Sequence, residues 1–131
     1  MPTENIHPIS DKLIDRATKE KNLGYRAGVF WFCGLSGSGK STIACSLELS
    51  LSTRGIHSVV LDGDNLRAGV NQGLGFSDED RMENIRRTAE IAKLLVQNGL
   101  VVIVSLITPL ARQRESAAKI IGQPDYHEIF V

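Results

Sequence analysis

The chain has 131 residues, and 15 lysines and arginines balance 15 aspartates and glutamates. That length supports one domain around a single core, and the even balance excludes a bulk basic surface for nucleic acid or membrane, so basic residues must act locally. Hydrophobic content of 42% and charged content of 23% are ordinary for a soluble globular protein.

No apolar run approaches transmembrane length, the polar N-terminus lacks a signal-peptide core, and Cys33 and Cys45 have no metal or redox spacing. A reduced, cytoplasmic setting is therefore expected.

Residues 1–27 are polar, with Pro2 and Pro8 early and charges from Asp11 to Lys21. They read as an arm outside the main sheet, helical around Ile9–Arg16, with a poorly ordered terminus as the competing reading. From Gly28 the punctuation becomes regular, and residues 28–131 are expected to form the main domain. An apolar strand over Val29–Cys33 leads into a glycine-rich loop and a helix over Lys40–Thr53. Gly55 ends that helix and a strand over Ser58–Leu61 follows. Short helical material around Asn65–Val70 gives way to a turn at Gly73–Gly75. Ser77 then caps a helix over Asp78–Asn98, with acidic residues on its positive end. Met82, Ile85, Ala89, Ala92, Leu95 and Val96 make one apolar face of that helix. Gly99 stops it, and Leu100–Ile107 is apolar almost without interruption, as in a parallel strand buried on both faces. Pro109 opens a helix through Ile121, and His127–Val131 reads as a further strand. Strands alternating with helices give a three-layer α/β/α fold on a parallel sheet. Ile129-Phe130-Val131 falls in the middle of what reads as a core strand, which leads us to expect a fragment.

The loop carries the chemistry. Gly34-Leu35-Ser36-Gly37-Ser38-Gly39-Lys40-Ser41 is a complete G-x-x-x-x-G-K-S phosphate loop between strand and helix. Its glycines let backbone N–H groups turn inward around phosphate oxygens, and the helix start at Thr42 adds a fixed positive field. Lys40 is placed to reach the outer phosphates and Ser41 to bind magnesium. The expected nucleotide site is Gly34, Leu35, Ser36, Gly37, Ser38, Gly39, Lys40, Ser41 and Thr42, and the fold is of the P-loop NTPase kinase type. The N-K-x-D and D-x-x-G segments of GTPases are absent, and Val101–Ile107 ends in Thr108-Pro109 rather than in an acidic pair. The acid comes early, as Asp62 and Asp64 at the tip of the second strand. Two carboxylates there can hold metal-bound water and polarise an acceptor hydroxyl, which suits phosphoryl transfer to a small molecule. Capping of the following helix is their plainer role.

Leu61-Asp62-Gly63-Asp64-Asn65-Leu66-Arg67, then Leu74-Gly75-Phe76-Ser77-Asp78-Glu79-Asp80-Arg81-Met82-Glu83-Asn84-Ile85-Arg86-Arg87, together with the loop, closely resemble the adenylyl-sulfate kinase (APS kinase) family. Ile107-Thr108-Pro109, Arg112 and Arg114 continue the match, which runs from Trp31 to Arg114. The resemblance implies transfer of the ATP γ-phosphate to the 3′-hydroxyl of adenylyl sulfate, giving 3′-phosphoadenylyl sulfate in sulfate assimilation, with Mg2+ as the metal. It implies catalytic roles for Lys40, Asp62 and Thr108, and metal ligation by Ser41 and Asp62. Asp62, Asp64, Asn65, Arg67, Phe76, Arg81, Asn84, Ile107 and Thr108 become the implied substrate contacts. Among them Arg67 and Arg81 clamp the phosphosulfate and Phe76 stacks on the adenine. The resemblance makes a homodimer common and permits association with ATP sulfurylase, while Met1 and the short arm favour a stand-alone kinase. It also places a lid and a last strand with its helices beyond Val131. Thr108 stands where serine is usual, Ala68 where histidine is frequent and Cys33 where threonine is. The competing readings are another small-molecule or nucleotide kinase on this scaffold, and a truncated, non-catalytic ATP-binding module. Arg86 and Arg87 read as a solvated helix face, with Glu83–Arg87 a favourable i,i+4 pair.

Overall fold

The computed structural model describes residues 5–131, so the first four residues of the expected arm lie outside the described residues. Four parallel strands form one sheet in the order β2-β3-β1-β4: β1 (Gly28–Cys33), β2 (Ser58–Asp62), β3 (Val101–Ser105) and β4 (Tyr126–Phe130). The two central strands are the most apolar, and all five residues of β3 are buried. Side chains alternate across the sheet as strand geometry requires. Val29, Trp31, Cys33, Val102 and Val104 form one core with Ile85, Ala89, Ala92 and Val96 of helix α4 (Asp78–Val96) and with Ala117 and Ile121 of helix α5 (Ala111–Ile121). Phe32 and Ile103 point the other way, onto Ala44, Leu47 and Leu51 of helix α2 (Lys40–Thr53). Three layers result, as the sequence pattern requires.

Element boundaries follow local chemistry. Ser77 accepts a hydrogen bond from the Asp80 N–H at the start of α4, and Gly99, at φ 86°, takes the left-handed conformation after its end. The short helix α3 (Gly63–Arg67) starts two residues earlier than the expected Asn65–Val70, because the Asp62 carboxylate accepts from the Asn65 N–H, 3.3 Å away. Strand β4 is the outer strand of the described sheet, pairing with β1 while His127, Glu128 and Phe130 stay exposed.

The arm's helix is displaced from the expected Ile9–Arg16. Residues Ser10–Lys12 make one 3-10 turn, and helix α1 spans Arg16–Leu23, capped by the Asp15 carboxylate on the Thr18 N–H. The Asp15 cap, immediately before Arg16, sets where the helix begins. Arg16 grips Asp125 with two nitrogens at 2.7 and 2.8 Å, and Lys19 bonds Asn98. The arm is thus tied to the turn that opens β4 and to the turn before β3. Hydrogen bonds from Arg16 hold the Asp125 carboxyl below its ordinary 3.8. A depressed folded-state value means the contribution is complete above 3.8 and fades as pH falls through the folded value. Asp125→Asn is expected to cost about 1–3 kcal/mol and to speed proteolytic cleavage of the arm at neutral pH. Acidification below the depressed folded value should bring wild type close to the variant's cleavage rate.

Candidate active site

In an open parallel sheet ligands sit beyond the carboxyl ends of the strands, where successive connections leave in opposite directions. Here α2 follows β1 on one face, while α5 carries the chain from β3 past β1 to β4 on the other. The register brings the strand tips level, since Ser105 pairs with Phe32 on one side and with Asp62 on the other. A cavity of about 540 Å³ opens over these tips, within the range of small-molecule sites.

Its walls come from four segments. Ser36, Gly37, Gly39, Lys40, Ser41 and Thr42 contribute the phosphate loop and the start of α2. Gly37 and Gly39 sit at φ 82° and 96°, which other L-residues adopt only with strain. Gly34 is required for a different reason: a Cβ there would lie 2.7 Å from Ser38 Oγ and 3.0 Å from the Val131 carbonyl. Gly34, Leu35 and Ser38 do not line the cavity; they shape the turn, with the Ser38 N–H donating to the Leu35 carbonyl. The Lys40 ammonium, on a largely buried side chain, donates to that same carbonyl at 2.9 Å. Lysine is therefore folded onto the loop, beside the space a phosphate chain would occupy.

From the β2 tip come Asp62, Gly63, Asp64 and Arg67. Asp62 caps α3 and lines the cavity at once, so capping does not take its carboxylate out of the site. Asn65 contributes its backbone N–H to that cap, and its side chain is not part of the wall. Arg67 donates to the carbonyls of Leu74 and Gly75, both at 3.1 Å, and its guanidinium lies 4.4 Å from the Phe76 ring centre. Arg81 reaches the Phe76 carbonyl at 2.9 Å and lies 5.8 Å from the same ring. Phe76 is 70% exposed, so it is not part of the core. Asn84 is buried against the cavity from α4, one helical turn from Arg81.

From the β3 end come Ser105, Leu106 and Ile107. Thr108 does not join them. It is fully buried, its hydroxyl accepts from the Trp31 indole N–H at 3.2 Å, and it donates to the Leu106 carbonyl. Thr108, expected to touch substrate or the reacting groups, instead has its side chain turned under the loop, held by Trp31 and the Leu106 carbonyl, and it does not line the cavity. Arg114 holds the same loop from α5, donating to the carbonyls of Thr108 and Pro109 at 2.9 Å. Arg86 and Arg87 point away from the cavity onto Glu83, whose carboxyl is held at about 2 by hydrogen bonds from Arg86 and then Arg87.

Gly63, Ile85, Ser105, Leu106 and Gln113 line the cavity without having been singled out from the sequence. Gln113 is the most informative. Its carbonyl oxygen accepts from the Leu110 N–H at 3.1 Å, closing the start of α5. A polar residue three positions into a helix whose cap is leucine was the signal available.

Among the described residues no helix is long and apolar enough to cross a membrane, and both Cys33 and Cys45 are free thiols.

Residues 26–131 match the model of the family described as adenylylsulphate kinase. An adenylyl-sulfate kinase of Phocaeicola vulgatus is 53% identical over the whole of this chain, which spans 64% of that relative's length. One from Pseudomonas aeruginosa is 50% identical over 90% of this chain and 60% of its own. Among solved structures, an APS kinase of Mycobacterium tuberculosis in complex with AMPPNP and APS superposes with a TM-score of 0.77 at 48% identity, covering 80% of this chain and 62% of that one. A family match across more than three-quarters of the sequence, with half the positions shared along its full length, has one meaning: the chain belongs to the adenylylsulphate kinase family.

Proposed function

We propose that the protein transfers the γ-phosphate of ATP to the 3′-hydroxyl of adenylyl sulfate, producing 3′-phosphoadenylyl sulfate and ADP. The observation that carries this reading is a single cavity walled both by the phosphate loop and by Arg67, Phe76 and Arg81. A donor phosphate chain and a planar, anionic acceptor can thus share one space, where positioning and charge neutralisation supply most of the rate.

In this reading the loop amides and Lys40 hold the ATP phosphates, with the ammonium exchanging the Leu35 carbonyl for a phosphate oxygen. Phe76 offers an exposed face to the adenine, and Arg67 and Arg81 converge beside it on the sulfate-bearing end. The Asp62 carboxylate orients the 3′-hydroxyl and takes up its proton. Asp64 helps to place the substrate, Asn84 and Ile107 complete its walls, and Thr108 acts indirectly by holding the β3–α5 loop. The oxygen donors Ser41 and Asp62 both face the cavity and suit Mg2+, which prefers few protein ligands beside water and phosphate. When bound there, the metal would supply charge neutralisation for the phosphate that Lys40 and the loop amides hold. We take residues 28–131 as the kinase portion and residues 1–27 as its N-terminal arm, acting in the cytoplasm.

The test is to supply the full-length protein with ATP, magnesium and adenylyl sulfate and look for 3′-phosphoadenylyl sulfate. A preference for a sugar or a nucleoside monophosphate in a substrate panel would overturn the assignment. Phe76→Ala is expected to raise the KM for adenylyl sulfate by about 5- to 100-fold, the range of one lost stacking contact. The KM for ATP should stay within about twofold, since Phe76 lies outside the phosphate loop.

A further inference from the structure

Asn71 lies between α3 and α4 and is fully buried, with nothing in the sequence pattern marking it as functional. Its side-chain nitrogen donates to Asn84 Oδ1 at 2.7 Å and approaches the Asn84 carbonyl at 3.5 Å and Thr88 Oγ1 at 3.4 Å. The orientation of this pair is dictated by its surroundings. The Thr88 hydroxyl spends its proton on the Asn84 carbonyl, 2.7 Å away, so Oγ1 is left as an acceptor. The end of Asn71 that meets two acceptors must be the NH2 group. The Asn84 atom facing that group must then be its oxygen. It follows that the free end of Asn84, on the cavity wall, is the amide nitrogen. That nitrogen has no protein partner among the described residues, and it is not one of the enclosed, unsatisfied atoms.

The arrangement has a cost elsewhere. Asn71 Oδ1 is buried with no hydrogen-bond partner. A buried amide with one orphaned end is retained for the other end, because an apolar side chain of similar volume would fill the space without that penalty.

We propose that Asn71 is a positioning residue for substrate recognition: it locks the Asn84 carboxamide so that Nδ2 faces the cavity as a fixed hydrogen-bond donor to an acceptor atom of the adenylyl sulfate. This rests on the functional reading above. Thr88 sets the polarity of the chain, Asn71 transmits it, and Asn84 delivers it. The site is thereby biased toward a ligand with a lone pair at this point and against one presenting a donor.

A double-mutant cycle on the full-length protein tests this, with KM for adenylyl sulfate, KM for ATP and kcat as readouts. Asn84→Ala is expected to raise the KM for adenylyl sulfate about tenfold. Asn71→Ala should raise it by a similar factor, and the double variant by no more than Asn84→Ala alone. The KM for ATP should stay within about twofold of wild type throughout. Multiplying effects in the double variant, or an equal rise in the KM for ATP, would overturn the role of Asn71. Should Asn71→Ala fail to fold, Asn71→Leu takes its place, keeping the volume and removing the donor without burying a charge. A wild-type protein that never phosphorylates adenylyl sulfate overturns the functional reading itself, whereas turnover with multiplying effects overturns the Asn71 relay alone.

Discussion

Asp62→Asn is expected to lower kcat for phosphorylation of adenylyl sulfate by about a hundred- to ten-thousand-fold, the range supplied by a positioned general base. The substitution separates the two things Asp62 does. As a cap, its carboxylate accepts from the Asn65 N–H, and asparagine caps a helix about as well as aspartate. As a cavity group it supplies charge and basicity at the β2 tip, level with Ser105, and asparagine has neither. Thermal unfolding of the variant should therefore stay within a few degrees of wild type while turnover collapses, since a cap change worth a few tenths of a kcal/mol moves Tm by only ~1–2 °C. Undiminished phosphate transfer by Asp62→Asn would remove the carboxylate from the mechanism.

Trp31→Ala is expected to cost about 3–5 kcal/mol, a large part of the stability of a domain this size. Trp31 is fully buried in the central strand β1, flanked by Val104 of β3 and Glu128 of β4, with Tyr126 tilted against its ring at 6.1 Å. Truncation leaves a ring-sized void where α4 and α5 meet the sheet, and neither neighbouring strand can move in to fill it. It also removes the indole N–H from Thr108, beneath the loop that carries Ile107 to the cavity. Trp31→Phe isolates the second effect. It retains most of the packing, so its denaturation midpoint should fall much less than that of Trp31→Ala, while the KM for adenylyl sulfate rises through the loosened loop. Equal denaturation midpoints for Trp31→Ala and wild type would contradict the packing argument.

The contrast between strand and helix shows why some features were legible early. Lys40–Thr53 was bounded correctly from sequence because glycines punctuate both its ends: Gly39 at φ 96° and Gly55 at φ 77° have conformations that only glycine takes easily. The buried strand Val101–Ser105 was recognisable because a strand covered on both faces must be apolar at every position. The arm was harder to read. Its isoleucines at positions 6, 9 and 14 are all exposed, so no apolar face marks a helix there. The helix was set instead by the Asp15 cap and held by Arg16 on Asp125, a partner 109 residues away.

By itself the sequence determined the phosphate loop and the layer order, because each depends on short-range chemistry, glycine φ angles and strand and helix periodicity; the substrate-side contacts were implied by the family resemblance alone. Only the tertiary structure decided which way those groups point. The family resemblance implied Thr108 as a site residue, yet the indole of Trp31, 77 residues away in sequence, holds its hydroxyl away from the cavity. Gln113 joined the wall and Asn71 became the partner of Asn84 through contacts that no local pattern encodes. The physical reason is the short range of hydrogen bonds. A side chain's direction is settled by the donor or acceptor within about 3 Å of it, and in a folded chain that neighbour comes from a distant segment.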